Sequence, residues 1–230
     1  MDFMHADPVW SAHPTLCALA VVVDDVPGMN GDGGRIEALT PRIDRRLASA
    51  SESEMPEIAA WRDAFSKMGL KPTQYRCAAE ALLRRYRKDR SMPRFHPLVD
   101  YLNFVSMSFA IPIAAFDCAK ISDGITVRPA SGAETYESFQ GEIENPAPNE
   151  LIFADRDGHA HSRRWTFRQS ARSVVRSETS RALAVAEALH PGARQDIVAL
   201  EGELRSGLTD ACARVVHSMI LTPTERRLEF

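Results

Sequence analysis

The stretch from Val99 to Asp117, VDYLNFVSMSFAIPIAAFD, constrains the fold more than any other part of this chain. Leu98, Val99, Leu102, Val105 and Phe109 keep a helical period, so the segment reads as a core helix. Pro112 cannot continue that helix and should precede or begin a strand, Ile111 to Phe116. Asp100 and Asn103 stand three apart and share one helix face. Two polar groups among so much hydrocarbon are costly unless both are hydrogen-bonded. The pair is therefore expected to tie the helix to a neighbouring backbone segment or to face a ligand.

At 230 residues, one domain over 1–230 is the default. No apolar run reaches membrane-spanning length, and MDFMHADPVW lacks the basic-then-apolar layout of a signal peptide. Cys17, Cys77, Cys118 and Cys212 are scattered with no C-x-x-C pair, which fits reduced, mostly buried thiols. A cytoplasmic globular protein is the expectation. Net charge −3 argues against indiscriminate nucleic-acid binding, which needs a broad basic surface. The charge is uneven, however. Arg84, Arg85, Arg87, Lys88, Arg90 and Arg94 face a single acid, Asp89, and the segment from Arg163 to Arg176 holds five arginines and no acid. Local basic strips on a mildly acidic body suit a partner that docks one anionic end; a solvated helix face is the alternative.

Leu16 to Val23 reads as a buried strand, Gly28 to Gly34 as a loop, and Arg35 to Ala48 as a helix. Pro56 opens a helix to Met68 that Gly69 stops, with Ile58, Trp61, Phe65 and Met68 on one stripe. Thr73 can cap a helix from Gln74 to about Lys88, on which Arg76, Glu80 and Arg84 form an i, i+4 ladder. Ile125–Arg128, Leu151–Ala154 and Ala160–Thr166 read as strands, the last two joined by a hairpin turn at Asp155-Arg156-Asp157-Gly158. Glu178 to Leu189 is expected to be a helix stopped by Pro191-Gly192. The spacing from Ile197 through Leu208 to Met219 predicts one long amphipathic C-terminal helix.

Chemical candidates are few. His159 and His161 share a strand face at metal-ligand spacing, but no third ligand stands nearby; no metal and no cofactor are expected. Ser/His/Asp hydrolysis has no motif to support it, since no G-x-S-x-G is present and His5, His13, His96, His190 and His217 are scattered. Arg163 and Trp165 share a strand face, with Arg164 and Gln169 close by. An arginine next to an indole suits a phosphate with a stacked base; Trp165 in the core with Arg163 on a carboxylate is the alternative.

The Val99–Asp117 stretch resembles the VDxxNYVxxExGxPxHAFD run of the B3/B4 domain in bacterial phenylalanyl-tRNA synthetase beta subunits. In order along the chain, Ile125–Ala130 resembles that family's IxVRxA strand, Gly132-Ala133-Glu134 its GE step and Leu151–Asp155 its LVIAD strand. Trp61-Arg62, Tyr75-Arg76, Glu80–Arg85 and Arg163-Arg164-Trp165 resemble free-standing B3/B4 proteins. The likeness covers about 58–180; residues 1–57, with a strand, and 191–230, with the C-terminal helix, are additions to it. It implies an α/β (α+β) fold with a mixed sheet of the B3/B4 type and packed helices. It also implies binding of the aminoacylated 3′ end of tRNA, with hydrolysis of mischarged aminoacyl-tRNA as the associated reaction. Such hydrolysis needs no side-chain nucleophile, because the ester is already activated. Under this reading Arg62, Arg76, Arg84 and Arg163 contact phosphate or carboxylate groups, Asn103 and Glu134 face the pocket, and Trp165 stacks. Glu80, Arg164 and Gln169 complete the expected substrate-binding set.

Two departures stand out. The family's histidine falls at Ala114, and its glycine-rich step is replaced by Arg163-Arg164-Trp165. The synthetase glutamate that follows that step has no fixed counterpart in the sequence. A non-catalytic module for a small anionic ligand or amino acid is therefore the alternative, and a spare apolar face on the C-terminal helix could make a homodimer.

Overall fold

The computed structural model describes residues 1–29, 31 and 34–230. The apolar run Cys17–Asp24 forms strand β2, buried on both faces, and a strand of that kind needs cover on each side. It lies inside a four-stranded antiparallel sheet with β3 (Ile113–Asp117), β10 (Arg181–Ala188) and β11 (Arg214–Leu221), in the order β11-β2-β10-β3. Helices supply one cover. Helix α6 (Ala193–Asp210) packs on β2, β10 and β11, and α5 (Pro97–Phe109) packs on α6 and β3.

A second sheet supplies the other. It holds β1 (Asp2–His5), β4 (Ile125–Pro129), β7 (Leu151–Ala154), β8 (Ala160–Arg163), β9 (Arg168–Gln169) and β12 (Arg227–Glu229), in the order β12-β1-β4-β7-β8-β9. β1 and β4 run parallel and the other neighbours antiparallel, so this sheet is mixed. Phe116 of β3 meets Phe153 of β7 at 5.5 Å between ring centroids, and Phe153 meets Phe3 at 6.1 Å. These rings join the two sheets in one apolar cluster; each fully buried ring contributes roughly 2–3 kcal/mol. Outside the layers lie α1 (Asp7–Ala12), α2 (Arg35–Ser49), α3 (Pro56–Lys67), α4 (Ala78–Asp89) and a two-stranded ribbon, β5 (Tyr136–Glu137) with β6 (Ile143–Glu144).

Several elements follow the sequence pattern closely. Ile58, Trp61 and Phe65 of the predicted α3 stripe are buried and Met68 is half-buried, and Gly69, at φ +75°, follows the helix end. Asp155–Gly158 turns the chain between β7 and β8, with Asp155 N–H on His159 O at 3.1 Å and Gly158 at φ +81°. The expected loop between Gly28 and Gly34 begins with a 3-10 turn, Val26–Gly28; Asn30, Asp32 and Gly33 lie outside the described residues.

Other elements depart from it. Glu178–Leu189 is no helix: Arg181–Ala188 is the strand β10, eight residues in register with β2. Its alanines and leucine favour helix, but pairing on both edges and burial on both faces override that propensity. The C-terminal helix stops at Asp210. Cys212 takes a left-handed φ of +63°, and Val215 and Met219 belong to the edge strand β11. Helix α4 starts at Ala78 rather than Gln74, and Cys77, not Thr73, stands at its N-cap. The strand after the hairpin ends at Arg163 instead of Thr166, because Arg164 and Trp165 turn left-handed at φ +48° and +57°. Strand β3 starts at Ile113, after Ile111 and Pro112 have made the turn. Ile197, Leu200, Leu204 and Leu208 of α6 are buried against the sheet, while Val198 is exposed on the same helix. Among the described residues, no helix is long and apolar enough to cross a membrane.

Candidate functional site: an apolar cavity carrying two carboxamides

Helix α5, strand β3 and strand β9 meet around a cavity of about 310 Å³. Val99, Leu102 and Asn103 come from α5, Ile113 and Ala115 from β3, and Gln169 from β9. Phe95, Phe139, Val174 and Val175 complete the lining. Phe95 and Phe139 are 70% and 64% exposed.

Asp100 and Asn103 divide their work. The Asp100 carboxylate is buried and accepts the Phe95 N–H at 2.9 Å, which fixes the chain entering α5 and sets Phe95 in place. Asn103 is half-buried, and its side chain makes no hydrogen bond to any described residue. Gln169 donates from Nε2 to Ala115 O at 2.7 Å and lines the same cavity. Its Oε1 has no partner among the described residues. Two neutral amides in a mostly apolar hollow can hold an uncharged polar group beside a hydrocarbon one. Of the expected site residues, Asn103 and Gln169 line this cavity.

The remaining expected residues are placed elsewhere. Glu80 is buried and takes Arg62 Nη1 at 2.8 Å and Arg76 Nε at 3.4 Å. Burial pushes its carboxyl up, against the pull of Arg62, Arg76 and Arg84. Arg62 and Arg76 thus begin with an internal anion, while Arg84 is exposed on α4 beside Arg85 and Lys88. That face borders an open hollow of about 510 Å³. Arg87 is spent on Glu52 and the carbonyls of Leu47 and Ala50.

Glu134 caps its own turn. Its carboxylate accepts the amides of Ser131 and Gly132 and the Arg128 guanidinium. Burial alone would raise its pKa, but these donors hold it at about 2. Arg163 is buried on Glu144 and Glu150, and Arg164 lies over the rings of Tyr75 and Phe167. Trp165 is fully buried, with its indole edge-on to Trp61 at 4.8 Å and Nε1 donating to Glu187 at 2.8 Å. A buried indole cannot stack on a base. The structure therefore follows the alternative given above, a core tryptophan beside an arginine paired with carboxylates. Asp117 holds its strand turn through Ala119 N and Thr179 Oγ1.

Some residues escaped the sequence reading. Glu187 sat in a segment that looked helical, and His5, which meets it at 2.6 Å, looked isolated. His161 bridges Ser173 at 2.8 Å and Asp155 at 3.1 Å, and His159 also bonds Asp155. This is a Ser–His–Asp chain, but Ser173 and His161 are wholly buried, so it ties the β7–β8 hairpin to the 171–173 turn. Arg172 and Arg176 are exposed on either side of Val174 and Val175 in sequence, next to the cavity's lining.

The B3/4 domain family matches residues 60–203. Three phenylalanine–tRNA ligase beta subunits are similar over a short stretch. That of Legionella pneumophila (strain Paris) is 37% identical over 62 residues, 27% of this chain and 8% of that subunit. That of Haemophilus influenzae (strain 86-028NP) is 34% identical over 62 residues, also 27% and 8%. That of Nitrobacter winogradskyi is 36% identical over 61 residues, 26% and 8%. The match thus spans less than a tenth of these relatives' length. An N-terminal fragment of the phenylalanyl-tRNA synthetase beta subunit from Pyrococcus horikoshii shares the fold at a TM-score of 0.51 and 9% identity. That likeness covers 95% of this chain and 53% of the fragment. The family match takes in α5, β3 and β9, which build the cavity, and the chain belongs to the B3/4 domain family.

Proposed function

We propose that this protein binds the aminoacylated 3′ end of tRNA and seats the aminoacyl group in the Asn103–Gln169 cavity. The observation that carries the reading is the Asn103 carboxamide, which makes no hydrogen bond to any described residue and, with Gln169, stands in a mostly apolar lining. The carboxyl group of an aminoacyl ester is uncharged where that of a free amino acid is a carboxylate, and two amides with no arginine or lysine in the cavity lining suit the ester carbonyl. An apolar side chain then fills the hydrocarbon part. Arg172 and Arg176 near the cavity, with Arg84, Arg85 and Lys88 on α4, supply the exposed charge that phosphates require. Membership in a family represented in tRNA ligases supports the same partner.

Hydrolysis of a mischarged ester would follow from holding it where water can attack while amides polarise the carbonyl. The test is a panel of misacylated tRNAs followed for release of free amino acid. Release from at least one species, cut about tenfold or more by Asn103→Leu, is the result expected of a deacylase. Salt-sensitive binding of aminoacyl-tRNA with no release leaves a non-catalytic module. Ala114, at the family's histidine position, favours that second reading.

A further inference from the structure

Among the described residues, the large apolar side chains left exposed are Met1, Phe95, Phe139, Ile143 and Val198. Such residues scattered singly over a surface are ordinary. The two rings in this set are not scattered. Phe95 and Phe139 both line the Asn103–Gln169 cavity, one from the chain entering α5 and the other from the loop joining β5 to β6. Ile143 is exposed on the same ribbon as Phe139.

Each ring has a fixed mount. Asp100 takes the Phe95 N–H at 2.9 Å, and the next residue, His96, caps α5 by accepting the Leu98 N–H at 3.1 Å. Phe139 stands in a turn closed by Ser138 N–H on Glu142 O at 2.8 Å and Gly141 N–H on Ser138 O at 2.9 Å. The buried Ser138 hydroxyl also accepts the amides of Gln140 and Glu142. At its base the ribbon is tied down by Tyr136 Oη donating to Gln169 O and Ser170 Oγ donating to Glu137 O, at 2.9 and 3.0 Å. A ring presented on a fixed backbone loses little freedom when a flat partner covers it. The charges nearby select that partner. Arg172 and Arg176 are exposed around Val174 and Val175 of the lining, and Arg94, exposed with Asp100 at 3.9 Å, precedes Phe95. The acids Glu137 and Glu142 stand on the ribbon, so phosphates are met from the 172–176 side. Rings for bases beside arginines for phosphates are what an unpaired nucleic-acid strand requires.

We propose that Phe95 and Phe139 are stacking platforms for the unpaired bases at the 3′ end of tRNA, which they hold by the flat face. The inference rests on the tRNA reading and extends it: the bases are gripped at the cavity mouth while the aminoacyl group enters the cavity. The stacking surface expected at Trp165 is supplied from two other elements, since that indole is buried. A phenyl ring stacks on any base, so this grip carries no sequence preference of its own.

Deacylated tRNA with and without its unpaired 3′ nucleotides tests it, titrated against wild type, Phe95→Ala and Phe139→Ala. Wild type should bind the intact tRNA about tenfold or more tighter than the truncated one. Each substitution should weaken binding of the intact tRNA about fivefold or more and leave the truncated tRNA unaffected. The salt slope and the thermal midpoint should stay where they are, because a phenyl ring carries no charge and both rings are exposed. Phe139→Trp should hold or raise the affinity. Variants that bind intact tRNA as wild type does, equal losses on both tRNAs, or a concentration-dependent dimer that Phe139→Ala disperses would each overturn the stacking assignment alone. Failure of wild type to bind either tRNA would overturn the tRNA reading, and this inference with it.

Discussion

Single side chains in this molecule divide by whether the fold has already given them a partner. Asn103 has none among the described residues, so Asn103→Leu keeps volume and removes only the amide. That variant should melt within about 1 kcal/mol of wild type while losing ligand, as thermal denaturation alongside binding would show. Glu134 is the opposite case, because its oxygens are saturated by its own turn. Glu134→Gln should cost about 2 kcal/mol at neutral pH and leave ligand binding intact. Since its pKa is depressed from 4.5 to about 2, that stabilisation is present above pH 4.5 and fades as pH falls toward 2. Wild-type and Glu134→Gln melting curves should therefore converge over that interval; a gap still open at pH 2 would contradict the assignment. The charges of Arg62, Arg76 and Arg163 were legible in the sequence. The Arg76–Glu80 pairing was legible too, as part of the i, i+4 ladder. The partners of Arg62 and Arg163 were not, because Glu80, Glu144 and Glu150 reach them from other segments and only the fold brings them together.

At the scale of elements, packing decided what local propensity left open. The stripe of α3, the β2 run and the Asp155–Gly158 turn were readable because burial and periodicity agreed there. β10 was not, since Arg181-Ala-Leu-Ala-Val-Ala-Glu-Ala carries helix formers into a doubly buried strand. β11 was hidden for another reason. Ala211, Val215 and Met219 continue the four-residue spacing of α6 by coincidence, across the left-handed turn at Cys212. The helical look of β10 also hid Glu187, which lies on it. The contact between α5 and α6 offers a direct check. Gly207 sits under Tyr101, whose hydroxyl donates to Glu203 O at 2.7 Å, and a Cβ at 207 would overlap the Tyr101 ring. Gly207→Ala should destabilise by about 1–3 kcal/mol despite alanine's better helix propensity, measured by urea denaturation. An unchanged or raised midpoint would mean that the helices can separate without loss.

For the whole molecule, two sheets back to back with helices outside the four-stranded one leave the cavity where α5, β3 and β9 converge. Net charge −3 with exposed arginines and lysine on α4 and around 172–176 gives a surface that attracts phosphates only locally. Binding of tRNA should therefore weaken with salt along a shallow slope, with roughly two to four ion equivalents, and Arg84→Ala should reduce that slope by about one. A slope that Arg84→Ala leaves untouched would place the phosphates elsewhere. The claim on which the account rests is that the Asn103–Gln169 cavity reads the aminoacyl group itself. Its most direct measurement is the ratio of affinities for an aminoacyl-tRNA with an apolar side chain and for the same tRNA deacylated, in wild type and Asn103→Leu. The account predicts at least about a tenfold preference for the charged tRNA in wild type that collapses toward unity in the variant. Equal affinity for both tRNAs in wild type, or a preference that survives in Asn103→Leu, would contradict it.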